Sequence, residues 1–170
     1  LIRKRIPDAT ILCYAQSFGW KYNLPDSIPI VCVSRFVLSQ WTLQKPGNYF
    51  YIPPPIRECF RLDNQERDID ILIHSRKQNK YCIEKLLPEL RRKNYHVNVL
   101  DKWILQEELA SLFNRTKVFL YITELHKVGW RKYLPGEGFG MQALEAVACG
   151  AHVATNMIGG ITDFLTPGEN

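Results

Sequence analysis

Apolar residues along the chain follow two rhythms. Some form short unbroken runs, many of them β-branched; others recur every third or fourth position over longer stretches. Residues 10–15 (TILCYA) and 29–33 (PIVCV) are runs of the first kind and predict short buried strands. Ser34 stands directly before RFVLSQWTLQ and suits the N-cap of a helix over 35–44. Pro46-Gly47-Asn48 predict a turn. YFYI (49–52) predicts a strand, which Pro53, Pro54 and Pro55 stop in an extended conformation. The polar stretch 57–68, RECFRLDNQERD, reads as a linker.

Beyond residue 68 the alternation is regular. IDILIHS (69–75) predicts a buried strand. Ile83, Leu86, Leu87 and Leu90 fall at i, i+3, i+4 and i+7, one face of a helix; Pro88 within it should kink or split that helix. HVNVL (96–100) predicts the next strand, Leu109, Leu112 and Phe113 the next helical face, and KVFLYIT (117–123) a third strand. The polar and aromatic loop ELHKVGWRKYLPGE follows; it is longer than an ordinary βα connection, which marks it as functional or mobile. An apolar helical run then ends at Gly150, a good C′ residue, before the strand HVATNMI (152–158) and a turn at Gly159-Gly160. Strands alternating with helices over short links predict an α/β fold: a parallel sheet with helices on both faces. Ligands of such sheets bind beyond the carboxyl ends of the strands, where the loop leading to Glu137 lies.

Composition refines this. The 170 residues are 46% hydrophobic and 23% charged, enough apolar material for a core in one domain or parts of two. The formal charge of +5 is spread along the chain, with clusters at Arg3-Lys4-Arg5 and Arg91-Arg92-Lys93. The second sits at a helix end, where cations suit the macrodipole, so it reads as a solvated terminus and no nucleic-acid partner is expected. A general attraction to anionic ligands remains. Cys13, Cys32, Cys59, Cys82 and Cys149 are odd in number and lack C-x-x-C spacing, which argues against a disulfide framework or zinc site and for a reducing, cytoplasmic compartment. No apolar run approaches the ~20 residues of a membrane span, and no signal peptide is seen. The chain begins at Leu1 and stops at Asn170 just past a turn signal, and is read as a piece of a longer polypeptide, incomplete at both ends.

The candidate chemistry lies in EGFGMQALEAVACG, Glu137 to Gly150. Gly138 and Gly140 flank Phe139 where loop turns into helix, and glycine lets a ligand approach the backbone closely. The first amides of the helix have no internal partner and the dipole end is positive, so a phosphate fits there. Glu145 lies roughly a turn and a half inside; its carboxylate can accept from both hydroxyls of a ribose. Glu137, across the glycines, can accept from sugar hydroxyls. The plainer alternatives are a simple helix entrance and a solvated Glu145. Met141, Leu144 and Ala148 at helical spacing read as core. His74, His96, His126 and His152 do not cluster in sequence and read as satisfied or solvated, although His126 precedes the motif. Trp103 follows a strand and is a cleft-side candidate; Trp103 and Trp130 can stack on a base or sugar, or serve as core.

The combination E-G-F-G-x-x-x-L-E-A-x-A-x-G, followed by a strand and Gly-Gly, closely resembles the signature of family-four retaining glycosyltransferases of the GT-B fold, which has two Rossmann-like lobes. GGITDFLTPGEN resembles the segment after that family's fourth carboxyl-lobe strand. IPIVCVSRFVLSQW and YIPPPI resemble the end of the amino lobe and its crossing. The resemblance implies residues 1–56 as the end of an amino-terminal lobe, 57–68 as linker, and 69–170 as a truncated Rossmann-like lobe. It also implies a nucleotide-sugar donor of UDP, GDP or ADP type as substrate, retention of anomeric configuration, no metal and no other cofactor. By the same resemblance Glu137 meets the donor sugar hydroxyls. The backbone amides of Phe139, Gly140 and Met141 meet sugar and diphosphate, Glu145 the ribose, and Arg76 and Lys80 the diphosphate. The chain departs from the pattern at Ser75, where glycine is usual before Arg76, at Gln142 and at His152, and its Arg76–Lys80 gap is about one residue short.

Glycosyl transfer to an unidentified acceptor is therefore expected of the whole protein, with this piece supplying the donor site and inactive alone. The basic surface would suit an anionic or lipid-linked acceptor and peripheral association with the cytoplasmic membrane face. The alternatives are a non-catalytic nucleotide-binding or interaction module of the same fold, and a GT-B sugar-nucleotide epimerase.

Overall fold

The computed structural model describes residues 9–18, 24–44, 46–75, 80–123, 127–128, 131–132 and 137–169. It is α/β and built on two parallel sheets. The first holds β1 (Cys13–Ala15), β2 (Ile30–Cys32) and β3 (Tyr49–Tyr51) in that order. Helix α1 (Arg35–Thr42) follows β2, and Ser34 caps it as the sequence predicts, its Oγ accepting from the Val37 N–H at 3.0 Å. Val37 and Trp41 carry the buried face of α1 onto Ala15, Ile30, Cys32 and Val33.

The second sheet holds β4 (Ile69–His74), β5 (Val97–Leu100), β6 (Thr116–Tyr121) and, after the short β7–β8 hairpin (Lys127–Val128 and Arg131–Lys132), β9 (His152–Thr155). Its order is β5-β4-β6-β9, all parallel, a Rossmann-like arrangement. Period-two alternation sends Leu72, Phe119 and Tyr121 to one face, against Phe113 of α3 (Gln106–Asn114) and Ala143 and Ala146 of α4 (Met141–Ala148). Ile73 and Val97 go to the other face, against Cys82 and Leu87. Helices thus cover both faces.

Pro88 leaves a clear mark. Just inside the helical segment lies a π-helical turn, Cys82–Leu86, which leads into α2 (Leu87–Arg92). Leu87 N–H donates to the Cys82 carbonyl five residues back. The wider turn lies where the Pro88 ring would otherwise crowd the preceding carbonyls and where its missing N–H leaves one unserved. Two expected strands end early, β6 at Tyr121 and β9 at Thr155. There Asn156 turns its amide onto Thr123, donating from Nδ2 to the Thr123 carbonyl at 3.0 Å, and Met157 takes a positive φ of 33°. Side-chain bonding replaces the ladder.

The polar stretch 57–68 is tied to the second lobe. Phe60 is buried beside Phe113, Asn114 exchanges hydrogen bonds with Asp63 N–H and the Arg61 carbonyl, and the Arg67 guanidinium donates to the carbonyls of Phe113, Thr116 and Cys149. A linker read from polarity alone is therefore a fastened strap, with cations where the helix ends need them. No helix among the described residues is long and apolar enough to cross a membrane.

Candidate functional site

In the second sheet the chain steps from β4 to β5 on one side, then crosses to β6 on the other. The chain leaves β4 for one edge of the sheet and β6 for the other, and such a reversal is where open parallel sheets form a crevice. A cleft of about 600 Å3 lies there, lined from below by His74 and Tyr121, the last residues of the two strands. Tyr14, Gln16 and Val33 of the first lobe form its opposite wall.

The motif loop enters between the lobes and is pinned on both sides. The Gly160 N–H donates to the Glu137 carbonyl at 2.6 Å, and Glu137 bridges Gly159 in parallel fashion. Ser34 Oγ donates to the Gly138 carbonyl at 2.5 Å. A β-carbon on Gly138 would fall 2.3 Å from the Gln16 carbonyl oxygen, so the first lobe leaves no room for a side chain. Gly140, with φ of 93°, turns the chain into α4, a conformation costly for other residues. Phe139 packs into the core of the first lobe and lies 5.3 Å from Phe164, centroid to centroid. The glycines therefore serve packing and turning as well as any ligand.

Glu137 and Glu145 both line the cleft, together with Phe139, Gly140 and Met141. The Tyr121 hydroxyl donates to Glu137 Oε2 at 2.9 Å. Burial and the neighbouring Glu137 charge hold the Tyr121 phenol well above the ordinary tyrosine range. Glu145 is 7% exposed, and burial raises its carboxyl pKa from 4.5 to about 7. A solvated helix residue it is not. The Met141 and Gln142 amides, in the first turn of α4, have no partner within the helix, while Ala143 and Leu144 already bond the Gly140 carbonyl. Side by side, these groups offer acceptors for hydroxyls at two places and donors for an anion between them.

Other expected residues are placed differently. Lys80 is exposed at the start of the helical segment and is not part of the lining; Arg76, His126 and Trp130 lie outside the described residues. Lys102 lines the cleft and supplies a cation there. Trp103 is 81% exposed on the cleft wall, not in the core. His74, read from sequence as satisfied or solvated, is buried in the cleft floor with its ring stacked on Tyr121 at 5.9 Å. His74 and Tyr121 were missed as a pair; their one signal is that each ends a strand whose carboxyl edge faces the crevice. No protein-family model matches the chain, and no curated protein matches it significantly.

Proposed function

We propose that the protein is a retaining glycosyltransferase of the GT-B type, and that this lobe binds its nucleotide-sugar donor. One observation carries the reading: two carboxylates, Glu137 and Glu145, line one cleft on either side of the glycine-entered amino end of α4, at the carboxyl edge of a parallel sheet. In this reading Glu145 accepts from the ribose hydroxyls. The amides at the start of α4 hold the diphosphate, and Glu137 holds the donor sugar. Transfer leaves negative charge on the departing diphosphate. The helix dipole and amides at the start of α4 are preorganised to stabilise that charge, and Lys102 adds a cation on the cleft lining. The sugar passes to an acceptor bound across the cleft.

Isothermal titration with UDP, GDP and ADP tests this. Saturable binding of a nucleoside diphosphate is expected. Glu145→Ala should weaken it by tenfold or more, on the order of what loss of a charged hydrogen-bond acceptor costs; the exposed Glu169 changed to alanine should leave it unaltered. Absence of binding, or equal effects of the two variants, would overturn the reading. Donor hydrolysis or transfer by the full-length protein, lost in Glu137→Ala, separates an enzyme from a binding module.

A further inference from the structure

We propose that Tyr121 is the positioning residue for Glu137: from the end of β6 it fixes the direction of that carboxylate and so sets how firmly the donor's sugar is held. The inference rests on the donor-site reading above.

Three observations converge on it. Tyr121 is 3% exposed, and its hydroxyl donates to Glu137 Oε2 at 2.9 Å. Its ring is held by His74, stacked at 5.9 Å and 26°, and by Phe119 at 5.6 Å. The backbone of Glu137 is anchored separately, through the Gly160 N–H on its carbonyl. The side chain is therefore fixed at both ends, by the loop at its root and by the phenol at its tip.

The chemistry suits the task. A phenol is a single-proton donor on a rigid ring, and a hydrogen bond to an ionised acceptor is strong and directional. Burial and the Glu137 charge keep the Tyr121 proton in place across the physiological range, so the donor is always present. A carboxylate oriented beforehand spares the loss of rotamer freedom that an untethered glutamate would suffer on meeting a sugar. Tyr121 has no assigned contact with the sugar; it acts through Glu137.

Titration of the protein with UDP, GDP and ADP, and with UDP-glucose, GDP-mannose and ADP-glucose, measures the sugar's own contribution as the ratio of the two dissociation constants for each base. Tyr121→Phe keeps the ring and its packing. It should keep the diphosphate affinity and lose the sugar contribution, on the order of tenfold. Glu137→Gln should lose the same contribution, and the double variant no more than either single one, because the two residues act as a unit. Tyr121→Met, which fills the buried site without a hydroxyl and leaves Glu137 intact, should lose it too, and gives the answer should Tyr121→Phe fail to fold. The proposal is overturned by a Tyr121→Phe variant that keeps the sugar contribution, by additive losses, or by equal weakening of diphosphate and sugar nucleotide. A wild-type protein that binds the diphosphates but gains nothing from the sugar also overturns it. A wild type that binds no nucleotide overturns the donor site itself.

Discussion

Among single residues, Glu145 makes the sharpest demand. Its carboxyl is buried in the cleft wall, and burial lifts its pKa from 4.5 to about 7. The native state thus holds that proton more tightly than the unfolded chain. Its contribution to stability is complete below pH 4.5, fades as pH rises from there to about 7, and is gone above, where the buried charge is left uncompensated. Glu145→Gln should therefore flatten the stability profile between pH 5 and 8 in denaturant titrations, with its gain over wild type largest at the alkaline end. A nucleotide that donates hydroxyls to the ionised form should also release a proton on binding near pH 6.5, visible as a buffer-dependent heat. The two acids were legible in the sequence because spacing from a glycine turn fixes where they fall on a helix mouth. His74 and Tyr121 were not: an aromatic ring or an imidazole in an apolar strand reads equally well as core, and only the sheet's strand order decides which strand ends share a crevice.

Elements were legible wherever local chemistry sets their limits. Ser34 gives the start of α1, and the β-branched run gives β4 to within a residue. Where a side chain from afar decides, the sequence is silent. Asn156 cuts β9 short by bonding Thr123, and the π-helical turn before α2 answers Pro88 in a geometry that periodicity does not encode. The cap itself is testable. Ser34→Ala removes the acceptor for the Val37 amide, worth about 1 kcal/mol, and leaves the Gly138 carbonyl without its donor, so a total loss of about 2 kcal/mol is expected in urea unfolding. Ser39→Ala, at an exposed hydroxyl that bonds the Phe36 carbonyl three residues back, should change stability by less than about 0.5 kcal/mol.

For the molecule as a whole, the alternation of strands and helices foretold the parallel architecture but not how the two sheets meet. That junction depends on contacts distant in sequence: Phe139 in the first lobe's core, Gly138 against Gln16, and the Arg35 N–H on the Asp163 carboxylate at 2.8 Å. With Phe139 anchored in the far lobe, unfolding should be one transition, the same by tryptophan fluorescence and by far-ultraviolet circular dichroism. Phe139→Ala should cost about 3–5 kcal/mol and pull the two curves apart; coincident curves in that variant would mean the lobes are coupled elsewhere.

The hydroxyl of Ser34 has one proton, which it gives to the Gly138 carbonyl, while its lone pair receives the Val37 N–H. Fraying at the head of one helix and slackening of the loop before another are thereby the same event, relayed through a single atom. A nucleotide that steadies the loop should slow deuterium uptake at the Val37 amide, a site it never touches.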